Sequence, residues 1–352
     1  MATVVVNPPS SLQWSGNITD IIFSGVTDHI NLKVDVDDVV VEQLLLFAYN
    51  GTAKLEELSD LVEQRMLDTG KHFSTVKILE YPDENPSSTT LLCQFNVLYC
   101  SLTVTTTPDA FSRDNFLSTA HVKQLHPGMR EKLYFYDPDA GTQNYVAPTL
   151  RLQVGYMDGD VMRVATVDDA SSLINDDCIA FPISDIMTLA SVDNVATITL
   201  TLGNRQMLYY VSDFKADSVF MFYNAFNVEE NLPLNCITSV KQVGERTVAQ
   251  IKRHTVLASV EHETDYEVET APLSPDQVLL VEQLCESPET YIWYSVFKPI
   301  TISSRTCEFS NERANEVTAK FTWRYLDGRR AYKYEALPDD DIFTEEYDPN
   351  YD

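Results

Sequence analysis

The side chains that could do chemistry are spread along this chain and do not form a catalytic motif. The sequence has no Walker-type phosphate loop, no His-Glu-x-x-His zinc motif and no Gly-x-Ser-x-Gly nucleophile turn. His121 and His126 lie five residues apart, and His262 stands between two glutamates. Such residues could supply a general base or a metal ligand, but ordinary surface histidines are the simpler interpretation. We therefore predict no catalytic, cofactor-binding or metal-binding residue and no cofactor.

Turns rich in carboxylates could bind calcium. They are Asp35 with Asp37 and Asp38, Asp137 with Asp139, and Asp158 with Asp160. None has the regular ligand spacing and the terminal glutamate of an EF-hand loop. Calcium binding is therefore the less favoured interpretation of these turns.

Two groups of aromatic residues could stack on sugars or on nucleic-acid bases. They are Phe220, Phe222 and Tyr223, and Phe321, Trp323 and Tyr325. Aromatic residues that alternate along a strand more often pack in a core, so core packing is the favoured interpretation. A hydrolase with paired carboxylates is one of three hypotheses for the function; the other two, a structural component and a binding module, are given below. With 53 acidic residues, however, some pair must arise by chance, so it is the weakest of the three.

Composition indicates a globular, strongly acidic protein. The 352 residues are enough for two or three domains, and the formal net charge is −28. Because phosphate contacts need clustered lysine and arginine, we predict no nucleic-acid partner. No apolar run is long enough to span a membrane, and no secretory signal is evident. The six cysteines lack CxxC spacing, which is typical of reduced thiols in a reducing cytosol.

The segment from Tyr266 to Tyr325 has the clearest local signals. Alternation predicts strands at 266–270 and 317–325. Between them, Ser274 is placed to cap a helix, with Pro275 at its first position and Gln277 able to close a capping box. Ser287-Pro288 ends that helix, because the residue before a proline is pushed away from helical geometry. The aromatic face of the last strand is expected to pack on the helix or on a second sheet.

The rest of the chain predicts a mainly β protein, built of β-sandwich-like domains that each carry a short helix. We divide it into an N-terminal β-sandwich-like domain at 1–107, a middle β-rich section at 108–194, a C-terminal β domain with one capped helix at 195–335, and an acidic tail at 336–352. Strands are predicted at 89–106 and 247–260, and hairpins at Asn50-Gly51 and Gly203-Asn204. Residues 339–352 hold seven acidic residues and no basic one, so they are expected to form a solvated tail.

The order of these pieces resembles tail- and baseplate-associated structural proteins of phages and prophages of Bacteroides-type bacteria. From about Thr197 to Arg330 the matching pieces are TITLTLG, SDFKADSVFMFYNAFNVEENLPL, YEVETAPLSPDQVLLVEQLCESPETYIW, PITISS and EVTAKFTWRY. The first section, with SLQWSGNITDIIFSG and LEELSDLVEQRM, also looks like the N-terminal β domain of such proteins. These motifs are structural, and none is an active-site signature.

The resemblance implies a non-enzymatic virion component, in a tail or baseplate, assembled in the cytoplasm of the bacterial host. Its partners would be other virion proteins and further copies of itself in a ring. Strand edges and aromatic patches would contact these neighbours, and acidic surfaces would select them by charge complementarity. The resemblance also implies an exposed apolar patch on the isolated subunit. The alternative hypothesis is a receptor- or carbohydrate-binding β-sandwich module.

Overall fold

The fold is mainly β, with β-sandwich-like domains that each carry a short helix, as predicted. A computed structural model describes residues 3–140, 145–251, 254–293, 296–308 and 317–326. Within these ranges, no helix has the length and apolar character needed to cross a membrane. The predicted acidic tail at 336–352 lies outside the described residues.

The N-terminal section packs a three-stranded sheet and a five-stranded sheet around one core. Its elements are β1 Val4–Val5, β2 Leu12–Trp14, β3 Ile21–Ser24, β4 His29–Val36, β5 Val39–Phe47, β6 Thr52–Leu55, α1 Leu58–Thr69, β7 Phe73–Glu80 and β8 Thr90–Leu98. The strand orders are β1-β3-β6 and β2-β8-β7-β4-β5. Alternate residues of β4 and one face of α1 fill the space between the sheets.

Two local predictions in this section need correction. The strand expected over 89–106 ends at Leu98, because its partner β7 begins opposite that residue, at Phe73. Asn50-Gly51 does turn the chain, with φ of 51° and 77°. After one bridge between Tyr49 and Thr52, however, β6 pairs with β3 and not with β5.

The middle section also has two sheets around a core of its own. Its elements are α2 Pro108–Asp114, β9 Val122–Leu125, β10 Arg130–Tyr134, β11 Leu150–Asp158, β12 Val161–Val167, β13 Ile174–Asn175, β14 Cys178–Pro182, α3 Ile183–Ala190, β15 Val195–Leu202 and β16 Arg205–Val211. The strand orders are β12-β11-β15-β16-β9 and β10-β14-β13. The hairpin β15–β16, which we grouped with the C-terminal domain, therefore lies in the sheet of the middle section. Where the chain divides into independently folding domains stays a prediction.

The C-terminal section is one seven-stranded sheet curled around a helix. Its elements are β17 Ser218–Tyr223, β18 Glu229–Leu234, β19 Cys236–Ile251, β20 His254–Thr270, α4 Pro275–Glu286, β21 Thr290–Trp293, β22 Phe297–Glu308 and β23 Thr318–Tyr325. The order β18-β17-β21-β22-β23-β20-β19 puts β18 and β19 at opposite edges, yet only Asn235 separates them in sequence. The two edges therefore come near each other at Asn235, which requires a strongly curled sheet, and α4 packs Leu280, Val281 and Leu284 into its core.

The helix signals in α4 are confirmed. Ser274 Oγ accepts the Gln277 N–H at 3.3 Å, and the Gln277 side chain accepts the Ser274 N–H at 3.0 Å. Helix α4 ends at Glu286, before Ser287-Pro288. The strand predicted over 247–260 is wrong, because β19 and β20 are separate antiparallel strands whose pairing runs to Ile251 opposite His254.

A fourth core joins the three sections. Trp14 of β2 packs edge-on against Phe111 of α2, with ring centroids 5.4 Å apart, and Phe111 stacks on Phe226 at 5.1 Å. These rings come from the N-terminal, middle and C-terminal sections in turn. The described parts of the three sections are therefore packed into one body.

Candidate functional site

A buried lysine between two buried glutamates is the most unusual polar feature of the described structure. Lys123 Nζ lies 2.7 Å from Glu131 Oε1 and also contacts Glu230 Oε1. All three side chains are 2–3% exposed. They come from β9, β10 and β18, so the cluster joins the middle section to the C-terminal section. Buried charges of this kind need partners, because an isolated one is expensive to remove from water.

Neutral hydrogen-bond donors complete the cluster. Glu230 Oε2 accepts the Ser118 hydroxyl and the Asn224 side-chain amide, each at 3.1 Å. Glu131 Oε1 accepts the Tyr209 hydroxyl at 3.3 Å. Glu230 Oε1 contacts the lysine Nζ and has no other partner among the described residues. We call Lys123, Glu131, Glu230, Tyr209, Ser118 and Asn224 the buried Lys–Glu–Glu cluster.

Burial and mutual charge shift the protonation equilibria of this cluster. Burial raises the pKa of Glu131 above its usual range; Lys123 opposes this, and the second carboxylate, Glu230, adds to it. For Lys123, burial alone would lower the pKa, but the two carboxylates outweigh it and raise the pKa. Burial also raises the pKa of Tyr209. The arrangement therefore contains an amine, a carboxylate and a carboxyl group able to hold a proton, all shielded from water.

The sequence analysis did not identify this cluster. Its three charged residues stand 8 and 99 positions apart along the chain, on strands that only the tertiary fold brings together. A local signal was nevertheless present, since each precedes a buried leucine by two positions. The pairs are Lys123 and Leu125, Glu131 and Leu133, and Glu230 and Leu232. Residues two apart share a strand face, so each charged side chain is predicted to lie on the same buried face as its leucine.

The predicted histidines do not come together as a site. His121 is exposed, whereas His126 is fully buried and pairs its Nδ1 with the Phe214 carbonyl at 2.7 Å. Our interpretation of His126 as a surface residue is therefore wrong, because the chain covers this position just after β9 and the ring contacts the Phe214 carbonyl. His72 pairs with Asp177 at 3.2 Å. The side chain of His262 lies outside the described residues.

The carboxylates of the acidic turns accept hydrogen bonds from the turn backbone and form ion pairs. Asp37 accepts Lys71 Nζ at 2.8 Å, Ser74 Oγ at 3.0 Å and the Thr75 N–H at 2.9 Å. Asp35 accepts the Asp38 N–H at 2.9 Å, across a turn in which Asp37 and Asp38 both have positive φ. Burial alone would raise the pKa of Asp37, but hydrogen bonds from Lys71, Thr75 and Ser74 outweigh it and lower the pKa.

Each of the two other acidic turns forms an ion pair with an arginine. Asp139 receives two hydrogen bonds from Arg113, at 2.7 and 3.1 Å, and Asp158 pairs with Arg163 at 2.9 Å. Among the described residues, no three His, Cys, Asp or Glu side chains converge as metal ligands would.

The aromatic groups predicted to favour core packing do lie mainly in the core. Phe220, Phe222, Phe321 and Trp323 are at most 3% exposed. Trp323 stacks on Tyr266, with centroids 4.1 Å apart. These four buried rings cannot stack on a sugar or a base without unfolding the sheet.

Comparisons with known proteins give only weak similarities. No protein-family model matches the chain, and no curated protein matches it. Among solved structures, the plexin A4 extracellular region is 7% identical with a TM-score of 0.25, covering 92% of this chain and 36% of that one. Trypsin-activated α2-macroglobulin from Escherichia coli is 9% identical with a TM-score of 0.20, covering 78% and 23%. A marsupial T cell receptor is 8% identical with a TM-score of 0.18, covering 92% and 93%.

This chain therefore spans about a third of the plexin chain and about a quarter of the macroglobulin chain. TM-scores this low do not establish a shared fold.

Proposed function

We propose that this protein is a non-enzymatic structural component of a phage virion, in a tail or baseplate, that acts through protein–protein interfaces. The virion setting comes from the resemblance of residues 197–330 and of the first section to such proteins. The observation that carries the structural role is the long two-stranded ribbon of β19 and β20. Only residues 266–269 of β20 pair with the next strand, β23.

The ribbon extends far beyond the sheet that anchors it. Residues 242–251 and 254–264 pair with each other and, among the described residues, with no further strand. At about 3.3 Å per residue, this length reaches roughly 40 Å past Tyr266. An isolated two-stranded ribbon is marginally stable in water, so one of this length is expected to gain order by lying against a neighbouring subunit.

Exposed apolar edge strands support the same role. Three edge strands, one in each section, carry exposed apolar side chains: Leu45 and Phe47 on β5, Val161, Met162 and Val164 on β12, and Ile237 and Val240 on β19. Phe47 and Ile237 are 71% and 74% exposed. Edges of this kind are templates for pairing with another chain. They match the apolar patch expected of a subunit whose neighbours are missing.

Shortening the ribbon tests the proposal. Lys241 and Asp265 are cross-strand partners, so residues 242–264 can be replaced by Asn-Gly, which closes a two-residue hairpin. We expect the shortened protein to keep its fold and to lose self-association, measured by light scattering over a range of concentrations. Replacing the surface loop 83–88 by a shorter one is the control and should leave association intact. If the intact chain and the shortened chain are both monomeric throughout, the ring-forming role is contradicted.

One observation favours the alternative of a receptor- or carbohydrate-binding module. Trp293 and Phe297 are 46% and 39% exposed and meet edge to face, with centroids 4.9 Å apart. An exposed aromatic pair is a platform on which sugar rings stack. Glycan-array binding that is lost in Trp293→Ala would favour this alternative over the virion proposal.

A further inference from the structure

We propose that Lys123 and Glu230 condense to form an intramolecular isopeptide bond, with Glu131 carrying the proton, so that the middle and C-terminal sections become covalently joined. The starting point is the contact between the lysine Nζ and the carboxylate Oε1 inside the buried Lys–Glu–Glu cluster. This bond goes beyond the proposed function, and its test does not depend on the virion role.

The acceptor is Glu230 because its two oxygens have different surroundings. Oε2 accepts hydrogen bonds from Ser118 and Asn224, whereas Oε1 contacts the lysine Nζ and has no neutral donor among the described residues. Donors placed on one oxygen stabilise the negative charge that develops there when the amine attacks the carboxyl carbon. Oε1 is then the oxygen that leaves.

Glu131 is the proton carrier because it contacts the same amine and favours its protonated form. Its Oε1 is 2.7 Å from Lys123 Nζ, and burial raises its pKa. It takes a proton from the lysine ammonium, which frees the lone pair for attack, and passes that proton to Oε1 of Glu230. After the attack it carries a second proton from the same nitrogen to the same oxygen, which leaves as water. One C–N bond forms, one C–O bond breaks and one water leaves. The ammonium and carboxylate charges are consumed together, so no oxidant or co-reactant is needed.

Burial favours the amide over the ion pair. Charges held away from water lose their hydration, and condensation replaces the two charges with a neutral amide. With side chains 2–3% exposed, water has little access for the reverse hydrolysis. The strands β10 and β18, which hold the two glutamates, also supply a matched control pair, Lys132 and Glu229, which are in contact but 38% and 28% exposed. In that pair water stabilises the charges, so we expect no bond.

Mass spectrometry of the denatured full-length protein tests the bond directly. We expect an intact mass lower than the sequence mass by one water. Trypsin should then fail to cut after Lys123 and should release a branched peptide that joins residues 114–130 to residues 216–241. Lys132 should be cleaved normally. Lys123→Arg should restore the full mass, and Glu131→Gln, which keeps the shape of the side chain, should do so while circular dichroism stays that of the wild type.

Several results would overturn the proposal. A folded wild-type protein at the full sequence mass excludes the bond, whatever the variants do. Loss of ammonia in place of water would assign an asparagine as acceptor, and a branch to Glu131 would reverse the two glutamates. Complete condensation in Glu131→Gln would remove Glu131 from the reaction.

Discussion

Asp276, in the first turn of α4, accepts the backbone N–H of Val122 at 2.7 Å, at the start of β9. The same carboxylate oxygen also accepts the N–H of His121 at 3.0 Å. From sequence, this aspartate only complements the helix dipole. In the fold, the Asp276 carboxylate links α4 of the C-terminal section to β9 of the middle section by hydrogen bonds. The next residue of that strand is Lys123. By fixing the position of Val122, the Asp276 contact also directs the lysine side chain into the buried Lys–Glu–Glu cluster.

Removing the Asp276 carboxylate should destabilise the protein more than removing another acidic residue from the first turn of a helix. Asp276→Ala loses two charge-assisted hydrogen bonds, and we expect a loss of about 2 kcal/mol in the free energy of unfolding. Asp185→Ala, the first-turn acid of α3, is the matched control and should cost roughly 0.5 kcal/mol. Urea denaturation measures both. Equal losses in the two variants would show that Asp276 acts only on its own helix.

The buried lysine should be far more important than its exposed neighbour. Lys123→Ala leaves two carboxylates without a cation in the core and is expected to cost about 3–5 kcal/mol. Lys132→Ala breaks a partly exposed pair and should cost less than about 1 kcal/mol. The comparison is made by urea denaturation under the same conditions. A small loss in Lys123→Ala would mean that water or a rearranged core solvates the two glutamates.

Asn227 should stabilise the end of a helix in a different section. Its side-chain amide donates to the carbonyls of Met66 at 3.3 Å and Lys71 at 2.9 Å, where α1 ends. Asn227→Ala leaves these carbonyls without that donor, and we expect a loss of about 1–3 kcal/mol. Hydrogen exchange should also become faster at the C-terminal end of α1. Asn204→Ala removes an exposed bond to Asp114 and serves as the control, with an effect near zero.

Asp37, in the turn between β4 and β5, should make the stability of the protein depend on pH in the acid range. The pKa of Asp37 is lowered below 3.8, so its stabilising contribution is complete above that pH and is lost as pH falls through the lower, folded-state pKa. Asp37→Asn should therefore destabilise the protein near neutral pH. The difference from wild type should shrink as pH falls below 3.8, where the unfolded chain takes up the proton first, and should vanish below the lower pKa of the folded state.

Asp38→Asn is the control for this turn, since Asp38 is 83% exposed and also has a positive φ that asparagine tolerates. Denaturation at a series of pH values compares the two variants. A constant difference between Asp37→Asn and wild type across the series would show that charge plays no part.

Local features of this fold were predictable because each depends only on residues near in sequence. The capping box of α4 needs Ser274 and Gln277 alone, and the strand β23 follows from its own alternation. Helix α3 carried a comparable signal that the sequence analysis overlooked, with Ile183, Ile186, Met187 and Ala190 at helical spacing. The break between β19 and β20 had no such signal. Residues 248–257 contain no Gly, Pro, Asn or Asp, so nothing local marked a turn.

The β-rich class, the acidic charge and the apolar face of each main strand follow from composition and residue period, which depend on no partner strand. The pairing of the strands depends on the tertiary structure, which places β15–β16 in the middle sheet and brings the two edges of the C-terminal sheet together at Asn235. The tertiary structure alone brought Lys123, Glu131 and Glu230 together. The physical reason is that strand pairing and buried ion pairs join residues far apart in sequence, so their energies appear only when the whole core is assembled.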